Sequence, residues 1–342
     1  MIHTRRFPMK NIIIWGSRIA GMGALWSTLV FFTYRFTEFE FMRIPFLPIA
    51  TIGTAVAFYV GFKNNSAYER FWEGRKIWGG IINASRTWGN AVMSYVLPGD
   101  SSDFAVEVRK RLMYRHMAWI NALRLQLRKT SRFHHKPARM TKIRLQKHAT
   151  HMRNDWDAEL KHFLSPEEFE EVSQRANSAT HLIRTQGDEL QVLVKEEKLS
   201  IFHQIDLMRY LEEFYALQGK CERIKNTPFP RQYAEFSRLF TRVFTFLVPF
   251  GLLDVFAKHV HHATITVSSI TPVIPMILSS ALISWVFSTM EGIGDSSEDP
   301  FERSMNDVPM NALCRTIEID LREMLGETEL PEKEKPIDNI LY

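Results

Sequence analysis

The chain has 342 residues, of which 45% are hydrophobic and 24% are charged, and its formal net charge is +5. Apolar residues concentrate in roughly the first 60 positions and in about 50 positions around residue 265, as expected of a protein that meets both lipid and water. The basic residues are interleaved with acids and form no recognisable motif, which argues against a nucleic-acid partner.

The composition also argues against several other classes of protein. The two cysteines, Cys221 and Cys314, lie far apart in charged surroundings, which disfavours a disulfide framework and favours a reducing compartment. No phosphate-binding loop, dinucleotide fingerprint, zinc-hydrolase motif or nucleophile elbow is present. We therefore expect neither an enzyme nor a bound cofactor.

The first two predicted membrane spans lie near the N-terminus. Span one covers Ile12 to Tyr34, and its only charged residue, Arg18, is close enough to the basic end for its guanidinium to reach the membrane surface. Span two, Ile44 to Phe62, has no charged residue. As a helix it would be about 28 Å long, close to the thickness of the bilayer core.

Two further spans are predicted later in the chain. Span three covers Leu239 to Ala257 and contains two charged residues and a proline, and span four covers Ala263 to Met290 and contains two prolines. Such helices are poorly suited to face lipid, so we expect them to pack inside an assembly, where neighbours satisfy the freed backbone groups.

The predicted orientation follows from the charged segments. The links between spans one and two and between spans three and four are short or balanced in charge, whereas the N-terminus, the long central region and the segment after span four are charge-dense. The bias of basic residues towards the cytoplasm therefore predicts that both termini and the central region are cytoplasmic.

The central region, from Asn64 to about Tyr233, has helical periodicity nearly throughout. Breaks are expected at Leu97 to Asp100 and from His134 to Lys147, and Ser165 followed by Pro166 predicts a capped helix start. The predicted organisation is residues 1–63 with spans one and two, 64–235 as a helical cytoplasmic region, 236–290 with spans three and four, and 291–342 as a cytoplasmic C-terminal segment.

Three histidines, His259, His261 and His262, lie close together between spans three and four. Imidazole nitrogens are common zinc ligands, but no carboxylate or thiol neighbour completes a site. We therefore expect a solvated loop rather than a metal centre.

Long segments carry a likeness to a known family. They include AFYVGFKNNSAYERFWEGRKIWGGIINASR from Ala57 to Arg86, YRHMAWINALRLQLR from Tyr114 to Arg128, GKCERIKNTPFPRQYAEFSRLF from Gly219 to Phe240, ISWVFSTMEGIGDSSEDPF from Ile283 to Phe301 and NDVPMNALCRTIEIDLREMLGE from Asn306 to Glu327. In this order they resemble the bestrophin family, particularly its bacterial branch. The resemblance implies an all-α membrane protein with four transmembrane helices and a helical cytoplasmic domain, assembled as a homopentamer around a central pore in the bacterial inner membrane.

The resemblance also implies positions for the pore constrictions. The narrow neck of such channels is lined by the second span, and its residues fall on Ala50, Thr54 and Phe58, whose spacing favours one helix face. Ala50 and Thr54 are smaller than the apolar residues typical of the family, so Phe58 is expected to be the main constriction. Alternatively, the three side chains simply pack against other helices. A second, cytoplasmic constriction falls on Ile205.

The acidic residues after the fourth span are candidate calcium ligands. Eukaryotic bestrophins bind calcium after the fourth span, where this chain has Asp295, Asp299 and Asp307 as weak candidates without the contiguous acidic run of those relatives. Bacterial relatives are generally taken to lack this control, and the alternative is that these acids form surface ion pairs.

The resemblance implies a channel for small monovalent ions. Eukaryotic members pass chloride and other anions, whereas some bacterial members favour monovalent cations. The positive net charge favours the permeation of anions. A membrane-anchored helical scaffold without transport is the rival interpretation, and the absence of a visible inverted repeat argues against a transporter.

Overall fold

The computed structural model describes residues 1–3, 9–129, 146–256, 273–304 and 306–342, with the backbone alone for residues 9–15 and 150. Its α-helices are α1 (Met9–Thr37), α2 (Phe46–Tyr95), α3 (Asp103–Leu127), α4 (Trp156–Leu160), α5 (Pro166–Ser173), α6 (Ser178–Lys195), α7 (Ile201–Asn226), α8 (Arg231–Phe256), α9 (Val273–Ser297) and α10 (Met310–Met324). Short 3₁₀ helices cover Glu40–Met42, Ala149–Met152 and Lys161–Phe163. The predicted all-α class is confirmed.

The chain forms two compact units. The membrane unit comprises Thr4–Glu69 and Phe229–Glu298, and the polar unit comprises Met1–His3, Arg70–Pro228 and Asp299–Tyr342. The boundaries predicted after residues 63, 235 and 290 all fall a few residues inside the membrane unit. Helix α2 is therefore shared between the two units.

Helix α2 has 50 residues and is much longer than the predicted second span, Ile44 to Phe62, with which it overlaps. No proline occurs between Ile49 and Leu97, so nothing removes a backbone donor where the apolar run ends at Phe62. The helix stops just before the Leu97-Pro98-Gly99 turn, where Leu97 and Gly99 have φ angles of +50° and +74°. The predicted break at this turn is confirmed.

Membrane-spanning segments are recognised by length and hydropathy. In the described part of the chain, three helical segments meet both conditions, namely Glu40–Tyr95, Arg231–Phe256 and Val273–Ser297. They correspond to predicted spans two, three and four, although residues 257–272, at the end of span three and the start of span four, lie outside the described residues. Helix α1 covers predicted span one, and a total of four spans remains a prediction.

Small residues bring α1 and α9 close together in the membrane unit. A Cβ atom placed on Gly23 would lie 2.9 Å from the Ser284 side chain. Ser27 and Ser280 are both completely buried on the same two helices. Small side chains at a membrane helix interface allow the backbones to approach, and this contact gains van der Waals energy that lipid does not provide.

The polar unit has a conventional buried core around α3. The indole rings of Trp88 and Trp119 and the ring of Phe214 pack around His116, with ring centroids 4.6 to 6.2 Å apart. Helix α5 begins as predicted, because the Ser165 hydroxyl accepts a hydrogen bond from the Glu168 amide at 3.2 Å. Both cysteines are free and buried.

Candidate pore-lining helix

One face of α2 is exposed along the whole membrane part of the helix. Successive residues of this face are three or four positions apart. Since an α-helix turns by about 100° per residue, their side chains all point within about 40° of one direction around the helix axis. We call this face the α2 strip, and its exposed members are Leu47, Thr51, Thr54, Phe58, Phe62, Asn65 and Glu69. The strip is a candidate surface for lining a pore, because within the described residues no other segment covers it.

The structure places the three predicted neck residues unequally with respect to this strip. Phe58 is 81% exposed and Thr54 is also exposed, whereas Ala50 is half-buried. Eight helical residues correspond to a rotation of about 80°, so Ala50 lies at the edge of the strip when Phe58 is at its centre. Thr51 lies nearer the centre than Ala50 does.

The hydroxyl groups of the strip are satisfied within the helix. Thr54 Oγ1 donates to the carbonyl of Ala50 at 3.1 Å, and Thr51 Oγ1 donates to that of Leu47 at 3.0 Å. Each hydroxyl therefore presents mainly its acceptor oxygen and its methyl group to the surface. The strip is weakly polar at Thr51 and Thr54 and strongly apolar at Phe58.

The opposite face of α2 is buried, and it fixes the rotation of the helix. Ile49, Val56 and Val60 are nearly inaccessible. A Cβ atom on Gly53 would lie 2.7 Å from the Phe244 ring, so a larger residue at this position would require the ring to move. Phe244 in turn packs on Phe287 of α9 with centroids 4.6 Å apart. This packing directs Phe58 and Thr54 away from the unit.

A buried ion-pair cluster holds α2 to α9 just after the apolar run. The side chain of Lys63 is 1% exposed, and its ammonium group binds Glu291 at 2.9 Å and also Asp295. Asp295 is shared with Arg238 of α8 at 2.9 Å. Because Glu291 and Asp295 are one turn apart on α9, one cation can bridge both, which links three helices of the membrane unit.

The predicted cytoplasmic constriction lies in the polar unit. Ile205 is on α7 and is 49% exposed. Its neighbours at helical spacing, Ile201 and Met208, are exposed as well, so they form an apolar patch along α7 with Ile205. In the part of the chain that the structure describes, this patch is not covered by another segment.

The three calcium candidates have different partners. Asp295 binds Lys63 and Arg238 in the membrane unit. Asp299, in the polar unit, has Arg70 at 3.6 Å. Asp295 and Asp299 thus have cationic partners, although the pair of Asp295 with Lys63 is buried and is not one of the surface pairs expected from the sequence.

Asp307 is buried and stabilises a backbone loop. Its carboxylate accepts from the amides of Phe301 at 2.6 Å, Arg303 at 2.5 Å and Val308 at 2.7 Å. Burial raises the pKa of Asp307, and the three backbone donors oppose that rise. Phe301 and Arg303 have φ angles of +77° and +66°, so the carboxylate compensates a strained turn.

In the residues that the structure describes, no group of three or more histidine, cysteine, aspartate or glutamate side chains is placed to hold a metal ion. The histidines at 259, 261 and 262 lie outside the described residues.

Sequence reasoning missed Lys63 and Glu69. A signal for Lys63 was present, because it continues the spacing of the buried residues Val56 and Val60 on α2. Its acidic partners could not be identified, since they are more than 200 residues away in the sequence. Glu69 carried no signal, because an exposed helical glutamate is common.

Together, these features define an all-helical membrane protein in which one long helix presents an uncovered face. The model of the Bacterial/Fungal Bestrophin protein family matches residues 17–323, and the chain belongs to this family.

Similar proteins agree with this membership. A voltage-dependent anion channel-forming protein, YneE, of Escherichia coli O157:H7 is 28% identical over 98% of this chain and 97% of its own length. A voltage-dependent anion channel-forming protein of Mesorhizobium japonicum is 27% identical over 93% of this chain and 87% of its own length. The crystal structure of a bacterial bestrophin homolog from Klebsiella pneumoniae superposes with a TM-score of 0.72 and 26% identity, covering 91% and 98% of the two chains. The chain is therefore a member of a family of membrane ion channels.

Proposed function

We propose that the chain is the pore-forming subunit of a channel for small monovalent ions, in which five copies surround one central pore. The observation that carries this proposal is the exposure of Phe58, because a large aromatic side chain is directed away from its own subunit by packing on the opposite helix face. The names of the relatives, which describe anion channel formation, favour anions, and a monovalent-cation channel is the alternative.

In the proposed assembly, the α2 strips of five subunits face one another. Five Phe58 rings would then form an apolar constriction that opens and closes to ions by wetting and dewetting. Thr54 and Ala50 would form wider rings, and Ile205 would contribute a second apolar constriction in the cytoplasmic part. Both termini would be cytoplasmic and the membrane would be the bacterial inner membrane, in accord with the charge distribution of the sequence.

The proposed role is passive conduction rather than catalysis. Asp295 and Asp299 already have cationic partners and Asp307 binds backbone amides, which supports structural roles for these candidates over calcium control. A scaffold without transport is the rival role, and conduction measurements separate the two.

The test is a recording from the purified full chain in planar bilayers. We expect unitary currents from the wild type and a larger conductance or open fraction from Phe58→Ala, because the truncation widens and hydrates the neck. Native mass spectrometry of the same preparation would count the subunits.

Phe36→Ala is the matched control. Phe36 is 80% exposed on α1, so it is as accessible as Phe58 but lies away from the α2 strip. Its truncation should leave the conductance at the wild-type value. Absence of unitary currents from both the wild type and Phe58→Ala would contradict the channel proposal and favour the scaffold.

A further inference from the structure

The chemistry of the α2 strip changes at its inner end. From Leu47 to Phe62 its members are uncharged, and Asn65 is polar but neutral. Glu69 is the first charged residue of the strip. It lies 11 residues beyond Phe58, which corresponds to about 16 Å along the helix axis.

The carboxylate of Glu69 is held in place by a neutral partner. Asn65 Nδ2 donates to Glu69 Oε1 at 2.9 Å, one helical turn back along the same strip. Across the residues that the structure describes, Glu69 forms no ion pair with a lysine, arginine or histidine. The hydrogen bond orients the carboxylate without cancelling its charge.

Six other acids of the membrane unit differ from Glu69 in this respect. Their carboxylates have basic partners in the same unit, which reduces the field that they project. The pairs are Glu40 and Asp254 with Arg43, Glu235 and Asp295 with Arg238, Glu291 with Lys63, and Glu298 with Arg231. An uncompensated charge on the strip is thus a specific feature of Glu69.

We propose that Glu69 is a charge-selectivity residue of the channel, forming a ring of five carboxylates at the inner mouth of the neck. This inference rests on the proposed function, since the ring exists only if five α2 strips surround a pore. Fixed negative charges beside a narrow apolar constriction raise the local concentration of cations and lower that of anions. The ring would therefore shift the permeability ratio towards monovalent cations, against the preference implied by the names of the relatives.

The test is the reversal potential of the purified full chain in planar bilayers under a KCl gradient. Glu69→Gln keeps the acceptor for Asn65 and removes the charge, and we expect it to lower the cation-to-anion permeability ratio by about threefold or more. Glu69→Lys should lower the ratio further, because it reverses the sign of the ring.

Glu235→Gln is the matched control. It removes the same charge from an exposed position of the membrane unit, but Glu235 lies on α8 and is paired with Arg238 at 3.0 Å. Its permeability ratio should equal that of the wild type. If Glu69→Gln conducts with the same cation-to-anion permeability ratio as the wild type, the proposed ring of carboxylates is wrong, whereas the channel proposal is unaffected.

A measurement on the wild type keeps the inference testable if the Glu69 variants do not assemble. Salt screens fixed charges, with a Debye length of about 10 Å at 0.1 M and about 3 Å at 1 M. The cation-to-anion ratio of the wild type should therefore fall as the mean salt concentration rises, and a constant ratio would overturn the ring. If wild type and Phe58→Ala both pass no current, the channel proposal itself fails.

Discussion

Each unit of the protein contains a completely buried cation, and the two cations are bound in different ways. Lys63 in the membrane unit binds two carboxylates of one helix, α9. Arg124 in the polar unit is 0% exposed and binds groups from separate segments, namely Glu159 at 2.6 Å, Asn311 at 2.7 Å and the carbonyl of Arg153 at 2.8 Å. Lys63 joins one pair of helices, whereas Arg124 connects several segments at once.

The different partners of Lys63 and Arg124 indicate that the two cations have different structural roles. A cation that binds a single helix orients that helix against its neighbour, and here the neighbour carries the α2 strip. A guanidinium that binds several segments stabilises the unit as a whole, because its planar donors satisfy several buried acceptors together. Removing either cation leaves buried partners unpaired, but the number and kind of these partners differ.

The largest effect is expected from Arg124→Met. The change leaves the side-chain oxygen of Asn311 and the carbonyl of Arg153 without their donor, while Glu159 keeps Arg153 at 2.6 Å. Loss of a buried charged partner costs about 3–5 kcal/mol of unfolding free energy. Thermal unfolding of the detergent-solubilised protein would measure it as a lower midpoint.

Arg184→Met serves as the comparison for this substitution. Arg184 is exposed and lies 3.6 Å from Asp188 on the same helix, so its loss should change the free energy of unfolding by no more than about 0.5 kcal/mol. Equal midpoints for the two variants would show that the Arg124 cluster does not stabilise the polar unit.

A smaller effect, about 3 kcal/mol, is expected from Lys63→Met. Glu291 loses its cation, but Asp295 keeps Arg238, so the cluster is only partly uncompensated. Adding Glu291→Gln should recover at least about 1 kcal/mol, because the unpaired charge is then removed. The same thermal measurement applies to the single and double variants.

Arg238→Met tests whether burial of the cation matters in this cluster. Arg238 shares Asp295 with Lys63 but is partly exposed, so its loss should cost about 1 kcal/mol or less. If Lys63→Met were no more destabilising than Arg238→Met, the claim that the buried Lys63 ion pairs stabilise the packing of α2 on α9 would be disproved.

The sequence predicted the elements better than the partners. Hydropathy located the helices of the membrane unit, and Ser165 with Pro166 located a helix start, because such signals are local. Hydropathy ended the second span at Phe62, whereas helix α2 continues to Tyr95, because no helix breaker follows Phe62. Helix α8 likewise begins at Arg231, eight residues before the predicted span at Leu239.

The candidate site was only partly accessible from the sequence. A family motif pointed to Phe58 and Thr54, and both are exposed on one face of α2. The same motif included Ala50, although its helical rotation moves it to the edge of the strip. Whether an acid such as Glu69 is compensated depends on contacts in three dimensions, which no local pattern encodes.

A pH-dependent effect concerns His116 of the polar unit, a buried group with no ionic partner among the described residues. Burial lowers the pKa of His116 to about 3, and its Nε2 donates to the Ser85 oxygen at 2.8 Å, because the Ser85 hydroxyl itself donates to the carbonyl of Ile81. The unfolded chain binds a proton here below about pH 6.5, whereas the folded chain does not until about pH 3.

The free energy of unfolding therefore decreases as the pH falls from about 6.5 to about 3. The full stabilisation by neutral His116 is present only above about pH 6.5. At pH 5 the loss amounts to about 2 kcal/mol relative to neutral pH. The unfolding midpoint of His116→Gln should fall less between pH 7.5 and pH 5 than that of the wild type, since glutamine can donate to Ser85 but does not titrate. Other titrating groups, Asp307 included, are common to both proteins, so the difference in slope isolates His116. If the midpoints of the two proteins fell equally with pH, a charged imidazole would be tolerated at position 116. The surroundings of His116 would then be less well shielded from water than those of Arg124 on the same helix.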